Sequence, residues 1–403
     1  MPSGAPAAGL PPVLNIIALA SFAAALSMRA LDPVLPHLAD ELSVSIATAA
    51  GLSSALAFTF AIVQPVLGAA ADLFGKARLM VVCLVLLGIS NILGAMTSSY
   101  ELLLATRVMA GIGAGGVFPV TLSLASDLVA PARRQVALSR VMAGSMAGNV
   151  LGATASGVIG DMFGWRGVLA ALGTLAILSC VAIALGFKNA QLAKPPGKVD
   201  LGVLRTGYRA IFRNPNSAIC YGAVFLEGCF LLGLFPFIAS FLFDSGVTSL
   251  SIAGIVLACF AVGGLFYAAT ISRMLPRLGV NGMMISGGML MGLQLAVVAF
   301  GPPWQVQALC LLLMGWGFYM LHGSLQIFSS ELSQEARASA MSLHAFCFFM
   351  GQSVGPVAYG FGISHLGKVP ALLTGGAIIF ALGFVCAKLL RPHRPADAKA
   401  AVV

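Results

Sequence analysis

The chain has 403 residues, 59% of them hydrophobic and 9% charged, and a formal net charge of +9. Ordinary soluble domains are roughly 25% charged; so few charges cannot cover a soluble surface of this size, whereas a lipid-facing surface needs none. The positive charge is no nucleic-acid footprint either, because the basic residues sit in short segments between long apolar runs, which is a topology signal.

Taken in chain order, runs of ~20 apolar residues, long enough to cross a bilayer, fall at about 13–36, 46–71, 79–98, 101–129, 136–160, 165–187, 217–243, 251–272, 281–301, 305–330, 338–363 and 369–390. This predicts an all-α membrane protein with 12 transmembrane helices in two pseudo-symmetric six-helix bundles. The N-terminal bundle would occupy 1–187 and the C-terminal bundle 217–403. Between them the polar stretches KPPGK and RNPNS mark 188–216 as a cytoplasmic linker with room for a short amphipathic helix. Residues 1–12 carry neither a basic n-region nor a cleavage site, so the first helix is expected to stay in the membrane.

Of the 22 Lys and Arg residues, all but five lie in segments that are cytoplasmic when the N-terminus is inside. Arg166 and Lys368 fall outside, and Arg29, Arg107 and Arg140 fall within spans. The positive-inside rule then places both termini in the cytoplasm of a multi-pass protein of the bacterial inner membrane. The eight cysteines lie inside apolar runs with no CxxC pair, so they read as small buried hydrophobes and not as metal ligands.

The two halves repeat. Asp32-Pro33 matches Phe235-Pro236, and Gly152 and Gly157 match Gly355 and Gly360, each at a shift of 203 residues. Asp127-Leu128 matches Glu331-Leu332 at a shift of 204. Parallel six-helix repeats put a solute site at their interface near the bilayer midplane.

After the second span the chain reads Gly68-Ala69-Ala70-Ala71-Asp72-Leu73-Phe74-Gly75-Lys76-Ala77-Arg78. This resembles the signature loop G-x-x-x-D-x-x-G-[RK]-x-[RK] of the major facilitator superfamily. The resemblance implies that Asp72 meets a neighbouring helix end and that Lys76 or Arg78 pairs with Asp127, a gate on the cytoplasmic side. Leu73 and Ala77 stand where the family often has basic residues. The fourth span carries Arg107 followed by Gly111, Gly113 and Gly115, similar to the R-x-x-x-G-x-G-x-G stretch found in the 12-helix drug:proton antiporter branch and in other branches of the family. The G-P-x-x-G motif usual on the fifth helix of that branch is missing; Gly148 to Gly157 holds no proline, and Gly355-Pro356 occurs on the eleventh helix instead.

Charge inside a span is costly and marks a functional candidate. Arg29 and Asp32, spaced i, i+3, share a helix face, either as a static ion pair or as a proton site whose partners change. Arg107, at a similar depth, either ties helices together or faces a proton-carrying acid. Glu227 is near the midplane of the seventh span, with no base close in its own helix; it is a neutral, hydrogen-bonded acid or it faces an aqueous cavity. Asp32 and Glu227 are thus the proton-coupling candidates, with Arg29 and Arg107 tuning charge or binding an anion. His322 and His344 can relay protons, and Tyr319, Gln326 and Gln352 can line the same cavity. Phe225, Phe230, Phe235 and Phe237 crowd the seventh span, and Arg140 near the cytoplasmic end of the fifth suits snorkelling.

The expected function is a secondary active transporter working by alternating access, with proton-coupled efflux of a small organic or drug-like solute. A proton-coupled permease for a sugar-like or organic-acid metabolite, or a non-transporting solute sensor, are the alternatives. The sequence contains no HExxH, GxSxG or GxxxxGK[ST] pattern, so neither an enzyme nor ATP-driven pumping is expected. No cofactor or metal is expected. The expected partners are a small-molecule solute, protons and the lipid bilayer, with no nucleic acid, and the expected state is a monomer.

Overall fold

The computed structural model describes residues 11–130, 133–187, 201–333 and 336–390, with the backbone alone at 65, 68–74, 201–205 and 338. Among the described residues every regular element is a helix. Eight helices among these residues are apolar and long enough to cross a membrane.

The first predicted span is two helices, α1 (Val13–Ser27) and α2 (Leu35–Glu41), with turns between. Pro33 and Pro36 explain the break, since proline lacks an N–H and disfavours a helical residue before it. The seventh span breaks the same way. There α8 (Ser217–Phe230) passes through a single 3-10 turn at Leu232–Leu234 into α9 (Phe235–Asp244), with Pro236 in its first turn. The two breaks lie at the 203-residue repeat, so the repeated proline positions shape both halves alike.

Between these come α3 (Ile46–Phe74), α4 (Lys76–Met96), α5 (Tyr100–Asp127), α6 (Arg134–Gly186) and α7 (Leu201–Arg213). The second half continues with α10 (Leu250–Ala299), α11 (Trp304–Glu331), α12 (Arg337–Leu366) and α13 (Lys368–Leu389). Two connections expected as loops are almost absent. Helix α6 runs through Gly164 (φ 67°) and α10 through Gly279 (φ 64°), and each reverses at that single residue. A positive φ costs glycine nothing and other residues much, so one glycine replaces a loop. Helix α7 is the amphipathic helix of the linker: Ile211 is buried against Tyr221, Leu332 and Ala340, while Phe212 is exposed.

Small residues set the packing, as expected where lipid offers no hydrophobic drive between helices. In α5, a Cβ added at Gly111 or Gly115 would lie 2.5 Å from the Leu56 carbonyl oxygen or 2.9 Å from that of Phe60, both on α3. One added at Gly113 would lie 2.7 Å from the Cys83 carbonyl oxygen on α4. The alternating glycines of the fourth span therefore let α5 wedge between α3 and α4. The proline-free glycine ladder of α6 serves α1 in the same way, with Gly148 and Gly152 against the Phe22 and Leu26 carbonyls.

Contact between the two halves of the chain runs along two seams, α3 with α12 and α6 with α10. At one end of the second seam Gly157 abuts the Leu250 carbonyl, and Gly254 abuts that of Ala153. The same end of the first seam has Gly360 against Ala47.

Candidate functional site

A cavity of about 360 Å³ lies between the two seams, with walls from α1, α3, α5 and α6 on one side and α10, α11 and α12 on the other. Its surface is mainly apolar, and seven phenylalanines contribute to it: Phe60, Phe118, Phe235, Phe260, Phe318, Phe348 and Phe349. Of the four phenylalanines crowding the seventh span, Phe235 alone is among them, because the break in that span turns it inward. Phe230 and Phe237 pack on Tyr359 instead.

Arg29 and Asp32 sit in the broken stretch between α1 and α2, not on a continuous helix face as expected. Here the chain can aim both side chains into the cavity. Arg29 Nη1 lies 3.4 Å from Asp32 Oδ2, and Ser53 Oγ of α3 donates to Asp32 Oδ1 at 2.9 Å. The guanidinium also crosses to the other half of the chain. Arg29 Nη2 donates to Gln352 Oε1 on α12 at 2.6 Å, Nη1 donates to the Leu232 carbonyl at 3.4 Å, and Cζ lies 4.8 Å from the Phe235 ring centre. Asp32, 1% exposed, is compensated by this set, as a buried ion pair must be.

Glu227 does not line the cavity. Fully buried at 0% exposure, it places Oε2 2.7 Å from His322 Nδ1, and its Oε1 has no partner. His322 does line the cavity, held between the Phe318 and Phe348 rings. His322 Nε2 is 3.4 Å from His344 Nε2, and His344 Nδ1 is 2.9 Å from Ser329 Oγ. Three residues expected to act separately thus form one chain, which ends on a serine that sequence reading had not singled out. Tyr319 and Gln326 line the cavity one turn either side of His322, with Tyr319 stacked on Tyr267.

Of the two readings of Arg107, the one in which it faces Asp32 is not seen here, since Asp32 is partnered by Arg29 and Ser53. Arg107 is 1% exposed and lies away from the cavity beside Gly94, Thr106 and Leu169, with Nε and Nη2 unpartnered. Its motif spacing ties it to α5, and the rotation of α5 points it at α4 and α6. Arg140 is exposed and donates to Asn15 Oδ1 at 3.1 Å.

At the end of the molecule carrying the signature loop, Lys76 Nζ lies 2.7 Å from Asp127 Oδ2. Arg78 is exposed. The side chains of Gly68 and Asp72 lie outside the described residues; the loop itself turns at Gly75 with φ 88°.

The opposite end holds two clusters that spacing alone could not reveal. Asp161, at the end of the first limb of α6, accepts from Leu250 N at 2.9 Å, Ser251 N at 2.8 Å and Ser249 Oγ at 3.1 Å, and also from Ser251 Oγ. It therefore caps α10 from the other half of the chain, where a carboxylate is favoured by the helix dipole. Nearby, Glu41 is bonded to Arg166 and accepts from Trp165 Nε1 at 2.7 Å. Burial works against the Glu41 carboxylate, but the hydrogen bonds from Arg166 and Trp165 outweigh it and hold the group below the usual range. The cap pattern Thr-Ser-Leu-Ser opposite a lone acid after Gly160 was the available signal.

Long apolar helices around a cleft that is lined from both halves of the chain define a multi-pass membrane transporter. The sequence pattern of the Major Facilitator Superfamily matches residues 17–331 and 247–402, and the chain belongs to that family. It is 25% identical over 407 residues to a chloramphenicol resistance protein of Streptomyces lividans, covering 96% of this chain and 100% of that one. It is also 25% identical over 381 residues to the inner membrane transport protein YnfM of Escherichia coli (strain K12), with 89% and 87% covered. Among solved structures, the nucleoside transporter NupG superposes with a TM-score of 0.76 at 17% identity, covering 95% of this chain and 100% of the other. An inward-facing, unoccupied bacterial homolog of the human lysosomal transporter Spinster gives 0.72 at 17% identity, covering 94% and 98%.

Proposed function

We propose that this protein is a proton-coupled exporter of a small lipophilic organic solute, working as a monomer in the bacterial inner membrane by alternating access. In this reading it has twelve spans. Helices α6 and α10 each supply two, divided at Gly164 and Gly279, while the broken pairs α1–α2 and α8–α9 each supply one. The bundles occupy 1–187 and 217–403, joined by the linker at 188–216. The end with Lys76 and Asp127 faces the cytoplasm, and the end with Asp161 faces outward.

The observation carrying this reading is the aromatic cavity with two buried acids at its margin, Asp32 directly and Glu227 through His322. Asp32 and Glu227 are the proton sites, and Arg29 tunes Asp32. A proton taken up from outside and released inside would drive the halves between states, because a ligand shifts such an equilibrium only through its different affinity for them. The chloramphenicol resistance relative supports export of a compact aromatic compound.

The organic-acid permease is the weaker reading. It needs Arg29 to meet the anion, and Arg29 is already engaged by Asp32, Gln352 and the Leu232 carbonyl. A sugar-like solute could bond to Gln64, Asn149 and Gln326 of the wall, but the seven phenylalanines beside them favour a more apolar compound.

The test is flux of radiolabelled chloramphenicol in proteoliposomes. An imposed pH gradient should drive uphill movement, which a solute sensor would not show. Glu227→Gln and Asp32→Asn should abolish uphill movement while keeping equilibrium exchange. Full gradient-driven flux in both variants would overturn the proton sites, and flux indifferent to pH would overturn proton coupling.

A further inference from the structure

We propose that Glu227, His322, His344 and Ser329 form a proton-release path to the cytoplasmic face, separate from the route taken by solute and joined to it only at His322. The inference rests on the proton-coupled reading above and deepens it.

The geometry gives the path its direction. Along α11, Ser329 is seven residues beyond His322, or about 10 Å at 1.5 Å per residue, and only two residues short of the helix end at Glu331. His344 is seven residues into α12, counted from its start at Arg337. The chain therefore leads from the buried Glu227 towards the same end that carries Lys76 and Asp127. It runs inside the second half of the chain, behind the cavity wall, and His322 alone of the four lines the cavity.

The donors and acceptors can be ordered head to tail. A protonated Glu227 donates from Oε2 to His322 Nδ1. His322 donates from Nε2 to His344 Nε2, and His344 donates from Nδ1 to Ser329 Oγ. Each bond then holds one proton, and every group is neutral, which suits burial. One concerted shift moves each proton along its bond, and Ser329, 0% exposed in this arrangement, passes its own hydroxyl proton to water when the inner ends of α11 and α12 part. The result is a Glu227 carboxylate, His322 protonated on Nδ1, His344 protonated on Nε2 and an unchanged serine. One proton has left the acid and one has reached the cytoplasm. For the next cycle Glu227 takes its proton from the outer side through the cavity, and the two imidazoles return to their first tautomers by turning their rings, so that one proton has moved inward.

The surroundings leave little else to carry the charge. Titratable groups facing the chain from packed helices are Cys386 of α13, towards Glu227, and Cys220 of α8, towards Ser329. The Arg29–Asp32 pair across the cavity is satisfied by its own partners. Phe318 and Phe348 shield the His322 ring. The unpartnered Oε1 of Glu227 is the one polar atom of this acid with nothing to hold a charge in the present arrangement. Solute in the cavity meets the path at His322, so moving that ring would lengthen the already long 3.4 Å step to His344. Solute occupancy thereby gates proton release.

The test needs no identified solute. The full-length protein in liposomes is followed by time-resolved infrared spectroscopy after a fast pH rise. The protonated-carboxyl band of Glu227 is assigned by its loss in Glu227→Gln. His344→Phe and Ser329→Ala should leave the amplitude of the band in place but slow its decay by about tenfold or more, the scale of a lost proton-transfer group. Ser329→Thr, which keeps the hydroxyl, should restore the rate. Equal decay in all variants would overturn the path while leaving Glu227 a proton site. No titrating band lost in Glu227→Gln would overturn both. Pyranine trapped in the lumen should report the same slowing, so a variant that merely packs poorly, and decays without a hydroxyl-dependent rescue, counts against the path.

Discussion

Arg29 and Asp32 show how an ion pair survives in a cavity wall. Neither is satisfied by the other alone. The 3.4 Å contact between them is long, and Ser53, Gln352 and the Leu232 carbonyl take further lone pairs and protons. Removing one member of a buried pair strands the other in a site it cannot tolerate, at a cost of about 3 kcal/mol. Arg29→Leu should therefore lower the thermal unfolding temperature markedly in detergent. The double variant Arg29→Leu/Asp32→Leu should recover much of that loss, because no charge is left behind. Equal loss in single and double variants would mean that the two side chains are not coupled. The same reasoning makes Glu227 and His322 a unit, two groups 95 residues apart whose roles only their 2.7 Å contact reveals.

The helices carry two devices with separate physical causes. Prolines open α1–α2 and α8–α9 so that backbone and side chains reach the cavity at matching depths in the two halves. Glycines close the helix pairs. At Gly111 an added methyl would meet the backbone carbonyl of Leu56 at 2.5 Å, and backbone cannot swing aside as a side chain can. Gly111→Ala should cost about 2 kcal/mol, in the range for overpacking. Gly222→Ala, a helical position with nothing within 4 Å of the added atom, should be neutral or stabilise by up to about 1 kcal/mol. Thermal unfolding of the pair checks the contrast, and similar behaviour of both variants would deny that close approach sets the α3–α5 packing.

At the scale of the whole molecule, the two halves meet along two seams and are held at one end by Asp161. Its bonds to Ser249, Leu250 and Ser251 join the end of one limb of α6 to the start of α10. Opening the cavity at that end requires all of them to break. Asp161→Ala should raise the fraction of molecules open there by about tenfold, equivalent to about 1.4 kcal/mol, near the worth of one charged hydrogen bond. Spin labels at Phe163 and Ser245, with distances read by double electron–electron resonance, should then show a longer population. An unchanged distribution would remove Asp161 as the latch. The repeat offers no second acid at the matching seam, where Gly360 packs on Ala47, so the latch is built on one side only.

The amino-acid sequence alone determined that this is a membrane protein, the positions of its apolar runs to within a few residues and the half-chain repeat. Lipid makes those features local: each span must satisfy its own backbone and stay apolar over ~20 residues. It also marked Arg29, Asp32, Glu227 and both histidines, because a polar group inside an apolar run stands out wherever it points. Partnership is another matter. Spacing fixes which residues share a face within one helix, but not which face meets which neighbour. Tertiary packing decided that Arg29 reaches Gln352 and that Arg107 turns away from Asp32. The same packing linked Glu227, His322, His344 and Ser329 in a row and set Asp161 on the start of α10. Those outcomes depend on helix rotation and on the close approach of glycines to facing carbonyls, a property of pairs of helices that no single run of residues contains.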